Sequence, residues 1–217
     1  MEQIRVIRNN QSRKIEILAV VITGILKFVL MDWLGLRLFY ILGISIFWVF
    51  FIYKQHKKYP SILNEWGFKK ENFVKSFLFL LPFAVVLISG ILLYGVIVNA
   101  EFMNWHIIPI FVLYPVWGII QQFMMVGIIA KSLSYISKEN YQQWYVIIFT
   151  SLIFALVHYP SIPLMIFAFV LEINFIWVYF KWPNLWSLGL FHGWIGGLFL
   201  FFVLKRDLWN ELWLIFN

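Results

Sequence analysis

The chain has 217 residues, 63% of them hydrophobic and only 12% charged, with a net charge of +7. Soluble domains carry roughly a quarter charged residues, so that class is excluded, and the long apolar blocks point to a multi-pass membrane protein. Cysteine is absent, which removes disulfides, thiolate metal sites and a cysteine nucleophile.

Seven membrane spans are predicted in chain order, near residues 15–31, 37–53, 74–98, 106–130, 143–159, 163–180 and 185–204. Each is expected to be helical, because a segment facing lipid must satisfy its own backbone hydrogen bonds. The first span follows basic residues but no small-x-small cleavage site follows it, so it is read as retained. Only the tight turn Lys181-Trp182-Pro183-Asn184 separates the last two spans, which predicts an antiparallel hairpin. The fold class is therefore all-α, a polytopic transmembrane helical bundle. No internal repeat or linker divides it, so residues 1–217 are read as one transmembrane domain. Within it, 1–60 form an N-terminal tail with two accessory spans, 61–204 a core, and 205–217 an interfacial tail with Trp209, Leu212, Trp213 and Phe216.

The basic residues sit between apolar blocks, where they read as topology signals facing membrane lipid rather than as a nucleic-acid surface. Arg5, Arg8, Arg13 and Lys14 precede the first span. Lys54, Lys57, Lys58, Lys69, Lys70 and Lys75 follow the second, and Lys131 and Lys138 follow the fourth. The alternate loops offer little beyond Arg37, which predicts a cytoplasmic N-terminus in the plasma membrane. Lys205 and Arg206 argue the other way.

Inside a bilayer the informative side chains are the polar ones: Gln121, Gln122, His158, Glu172, Asn174 and His192 in the last four spans, and Lys27 in the first. Adjacent glutamines project about 100° apart on a helix, so one can face a polar interior while the other bridges to a neighbouring helix. A lone glutamine commonly does no more than join helices, at about 1 kcal/mol or less. His158 can be read as an interfacial histidine at a helix end. His192 is flanked by glycines that let another backbone or a substrate approach. Lys27 and Glu172 are costly alone and are expected to pair, unless Lys27 snorkels to the surface. Zinc wants three or four protein ligands and Glu172 is the one carboxylate at hand, so neither metal nor cofactor is expected.

In order and spacing these residues resemble the CAAX prenyl protease and bacteriocin-processing family of intramembrane peptidases (CPBP, or Abi). That family carries two glutamates followed after three residues by an arginine. On the next helix a phenylalanine precedes a histidine by four residues, and on a later one a histidine precedes an asparagine-like residue by four. Gln121-Gln122 stand at the paired glutamates, with Phe123 and Gly127 matching the flanks. Phe154 and His158 match the second motif and His192 the third, and Asn64-Glu65-Trp66-Gly67-Phe68-Lys69 is similar to the entry into the family core. The resemblance covers roughly 60–204. It implies catalytic positions at Gln121, Gln122, His158 and His192, with a substrate beside Phe154, Glu172, Asn174 and Gly196.

This chain departs from the pattern at four points: amides replace both carboxylates, Val126 the arginine and Gly196 the asparagine-like residue. A carboxylate can serve as a general base. A glutamine cannot, but it donates and accepts hydrogen bonds. Without carboxylates a buried arginine would be left unpaired, so the losses belong together. The expectation is a CAAX-protease-like membrane protein that binds a peptide or transmembrane partner without efficient cleavage. The alternatives are an active endopeptidase with histidine-assisted water activation, and a proton-coupled transporter through Glu172, Lys27 and the histidines. A shared site requires His158 and His192 within about 12 Å of one another, the reach of two side chains and a bound group.

Overall fold

The computed structural model describes residues 10–100, 104–136 and 142–216. Helix α1 (Asn10–Leu26) runs on into a π-helical turn, Lys27–Trp33. Then come α2 (Arg37–Lys58), the short α3 (Ile62–Trp66) and α4 (Phe73–Ile97). Helix α5 (Ile107–Gln122) continues through a π-helical stretch, Phe123–Ala130, into α6 (Lys131–Ile136). Helices α7 (Gln142–Leu156), α8 (Ile162–Lys181) and α9 (Leu185–Leu198) follow, α9 ending in a π-helical turn at Phe199–Val203. The tail folds as α10 (Leu208–Trp213).

Five of these elements are long and apolar enough to cross a membrane: α2, α4, α5 through α6, α8, and α9 with its π-helical end. Two predicted spans fall outside that group. The α-helical part of the first is 17 residues. Helix α7 has 15 residues, about 22 Å at 1.5 Å per residue, against a hydrocarbon core of about 30 Å. Helix α7 is therefore too short to span that core by itself, and His158 lies just beyond its end.

Helices α8 and α9 do reverse direction across the predicted turn, yet they are not each other's main neighbours. Helix α8 packs on α7, and α9 packs on α5 and α4. The turn itself is fastened to the segment before α4. Asn184 caps α9 by accepting from the Ser187 backbone N–H at 3.1 Å, and its Nδ2 donates to the carbonyls of Lys69 and Glu71. Gly67, at φ +95°, passes so close to Tyr179 that a Cβ would meet the ring at 2.9 Å, and its carbonyl accepts from Leu185. Only glycine combines that backbone conformation with that approach.

The contact between α5 and α9 is backbone against backbone. A Cβ on Gly189 would meet Ile119 Cα at 2.6 Å, and one on Gly193 would meet Pro115 Cα at 2.4 Å. From the other side, a Cβ on Gly118 would meet the Gly189 carbonyl at 2.6 Å. Lipid tails are as apolar as leucine, so close packing by small residues drives helix association in a bilayer. Pro115 fits here because its missing N–H leaves a flat face for Gly193.

Gly193→Ala should therefore overpack a rigid contact and cost about 1–3 kcal/mol. Gly90, whose Cβ would meet nothing within 4 Å, is the control and should lose nothing on substitution by alanine. Thermal unfolding in detergent separates the two: the melting temperature falls for Gly193→Ala and not for Gly90→Ala.

Candidate functional site

The α5–α9 contact brings three polar side chains together at the crossing. Gln121 and Gln122 follow Ile119 by two and three residues, and His192 precedes Gly193. The imidazole lies between the two amides. Gln122 Nε2 donates to His192 Nδ1 at 3.1 Å, and His192 Nε2 donates to Gln121 Oε1 at 3.1 Å. These two bonds are consistent with a single tautomer, the proton on Nε2 and the lone pair on Nδ1. Both glutamines thus address the same ring from its two nitrogen edges. Gln122 does the bridging as well, since Nε2 also donates to Glu172 Oε2 on α8 at 2.8 Å.

Gln122, His192 and Glu172 are buried, and Gln122 Oε1 and Glu172 Oε1 have no hydrogen-bond partner among the described residues. The Gln122 amide nitrogen is committed on both of its hydrogens. It donates to a carboxylate on one side and an imidazole on the other. Lys27, expected opposite Glu172, instead donates to Asp32 at 2.6 Å within the π-helical turn of its own span. Glu172, expected opposite Lys27, is instead the carboxylate of the polar cluster.

His158 and His192 share one ring between them. Phe154 lies 4.8 Å from His158 and 5.4 Å from His192, centroid to centroid. The separation of the imidazoles cannot exceed the sum of those distances, which is inside the limit for a shared site. His158 Nδ1 donates to the Phe154 carbonyl at 2.7 Å, so in the neutral ring Nε2 keeps its lone pair. A cavity of about 600 Å³ is lined here by Gln121, Phe154 and His158, and extends along Trp117 and Tyr40 to a charged end at Lys27, Asp32, Arg37, Arg206 and Glu211. Neither Glu172 nor His192 lines it.

Two further expected positions stand apart. Asn174 donates its amide to the Val170 carbonyl of its own helix. Gly196 packs toward Tyr114, with its Cβ position 3.7 Å from the ring. Neither lines the cavity. Val126, where the family has arginine, is fully buried in the π-helical stretch. On the side toward α3 the cluster is closed by aromatic rings. Phe123, next to Gln122, meets Trp66 at 4.9 Å and Trp48 at 5.7 Å, and all three are buried. The charged end was visible in sequence only as isolated charges: Arg37 at a span start and Glu211 in the tail. Glu211 accepts from both Arg37 and Arg206, and hydrogen bonding to it raises the Arg206 guanidinium above its ordinary range. Among the described residues no group of three or more His, Cys, Asp or Glu could hold a metal ion.

The fold is an all-α membrane bundle with a buried amide–imidazole cluster at its centre, consistent with the CAAX-protease type. Residues 102–198 match the family model described as Type II CAAX prenyl endopeptidase Rce1-like, which supports membership of the CAAX prenyl protease and bacteriocin-processing family over α5 to α9. No curated protein and no solved structure matches the chain.

The Gln122–Glu172 contact explains why an amide stands at position 122. A glutamate there would face a second carboxylate at hydrogen-bond distance, and two such groups cannot both ionise. Gln122→Glu alone should cost about 1–3 kcal/mol, the range for spoiling a buried hydrogen bond. Adding Glu172→Gln, which moves the acid from α8 to α5, should recover most of that loss. Unfolding of the four members of this cycle in detergent measures the coupling; additive effects would show that the two side chains do not interact.

Proposed function

We propose that the protein is a non-proteolytic CAAX-protease-like membrane protein that holds a peptide group of a membrane partner at Gln121 and His158. We propose further that it lies in the plasma membrane with its N-terminus in the cytoplasm, on the strength of the lysine distribution. The observation that carries this reading is the commitment of His192: one nitrogen accepts from Gln122 and the other donates to Gln121. No lone pair on that ring is left for water. The one carboxylate of the cluster, Glu172, is buried away from the cavity. A hydrolase needs a base within reach of the attacking water, and neither group supplies it.

What remains at the cavity suits binding. The Gln121 amide nitrogen has no partner among the described residues, and it can donate to a carbonyl. His158 Nε2 can accept from an N–H. One donor and one acceptor match a single peptide unit.

A second reading, an active endopeptidase, is favoured by the same His158 nitrogen, which could take a proton from water. It makes His158, not His192, the base. The transporter alternative has less support. A proton wire needs each member to donate and to accept, and Gln122 donates both to Glu172 and to His192.

An internally quenched, prenylated CAAX-type peptide bearing a photoreactive group tests the two readings together. The wild type should cross-link the intact peptide and release no fluorescence, and Gln121→Leu or His158→Ala should lower cross-linking roughly tenfold, equivalent to about 1.4 kcal/mol. Fluorescence release by the wild type that His158→Ala abolishes would overturn the non-proteolytic reading in favour of the second.

A further inference from the structure

The cavity has ends of opposite character. Gln121 and His158 form the inner end, and the walls between are apolar, with Val20, Ile110, Trp117, Met124, Leu164 and Leu200 among them. At the outer end, three cations share two carboxylates. Lys27 donates to Asp32. Glu211 receives Arg37 and two donors of Arg206, at 2.9 and 2.7 Å. A guanidinium has five N–H donors, and Arg37 gives Glu211 a single nitrogen. The outer end therefore has a surplus of one positive charge and unused donors on Arg37.

The size of the space selects what can enter. About 600 Å³ is room for roughly twenty water-sized groups at about 30 Å³ each, enough for one hydrocarbon chain. Its depth agrees, since Gln121 lies about 18 Å along the axis from Pro109, the first residue of α5 to line the cavity. The walls also disfavour a long peptide, whose backbone would need a partner for every N–H and C=O. Two of the wall hydroxyls donate elsewhere, Thr23 to the Ala19 carbonyl and Tyr40 to the Thr23 carbonyl. A hydrocarbon chain asks for no such partners.

We propose that this cavity is a binding site for a single-chain anionic amphiphile, its head on Arg37, Arg206 and Lys27 and its chain running inward to Gln121. A free fatty acid and a lysophospholipid share that chemistry. The site does not depend on whether a peptide is held or cleaved at Gln121. A partner that reaches Gln121 through the cavity has to displace the chain.

The full chain in nanodiscs of neutral phosphatidylcholine is labelled with palmitate carrying a diazirine at its methyl end. Cross-links are expected on Gln121–Met125 and Phe154–His158, at one per protein. Unlabelled palmitate should suppress them at least tenfold at a concentration where hexadecanol does not. The double substitution Arg37→Gln and Arg206→Gln should reduce labelling about tenfold. Because that pair also loosens α10, Gly24→Phe provides a second variant. It leaves the head residues intact and fills the channel beside Val157, whose Cγ1 is 3.5 Å from the Gly24 Cβ position; it should block labelling as well. Competition by 1-palmitoyl lysophosphatidate stronger than by palmitate identifies a phospholipid-derived ligand, and the reverse a free fatty acid; either supports the site. Labels spread over outward-facing residues such as Ile46 and Val86, equal competition by hexadecanol, or labelling unmoved by both variants would overturn it.

Discussion

Where Gly189 and Gly193 of α9 lie against Ile119 and Pro115 of α5, the two helices approach so closely that neither glycine has room for a Cβ. In water the hydrophobic effect would press such helices together, but in lipid that force is absent and only close packing and hydrogen bonds hold them. The contact therefore does two things at once. It fixes the helix pair around which α4, α7 and α8 assemble, and it brings His192 between Gln121 and Gln122. Had either helix carried an alanine at the crossing, the backbones would stand further apart, and hydrogen bonds already at 3.1 Å would lengthen beyond useful range.

That arrangement changes how the missing family charges are understood. By the resemblance alone, neutral groups stand where two glutamates and an arginine are expected. In three dimensions a carboxylate is still present, contributed by Glu172 from α8 and tied to Gln122. It lies behind the imidazole, away from the cavity, where it orients Gln122 and cannot reach a ligand. A low local dielectric strengthens such a network when its donors and acceptors match, and Gln122 is the member that makes them match by donating twice.

Much of this was legible in the sequence for one reason: polar side chains in apolar helices stand out. Gln121, Gln122, His158 and His192 were identifiable because no lipid-facing position would tolerate them cheaply. Their partners were less so. Glu172 and Lys27 were matched by sign, but the π-helical turn at Lys27–Trp33 brings Asp32 under Lys27 across five residues, a spacing that α-helical periodicity does not favour. Asn174 lies two residues beyond Glu172, about 200° around the helix, so it faces away from the cluster that Glu172 joins. The length of α7 was overestimated because His158, Tyr159 and the following residues are apolar enough to continue a span, while the chain turns there. The aromatic closure by Trp48, Trp66 and Phe123 joins α2, α3 and the end of α5, and no local pattern announces contacts between residues so far apart in sequence.

The same closure decides how the cluster communicates with its surroundings. Trp48, Trp66 and Phe123 are fully buried beside Gln122, so the side of the bundle toward α3 offers no passage to the amides. The opposite direction is open, through a cavity that ends among Lys27, Arg37 and Arg206. A ligand that reaches Gln121 from that end passes a positively biased entrance and an apolar barrel before it meets the amide. Selection by charge comes first, selection by chain width second, and hydrogen bonding last. Glu211 has a part in the first step, because its carboxylate is the neutralising group that Arg37 and Arg206 share. The strength of the entrance field thus depends on where α10 holds that carboxylate, which couples the tail of the chain to the amide pair at the centre of the bundle.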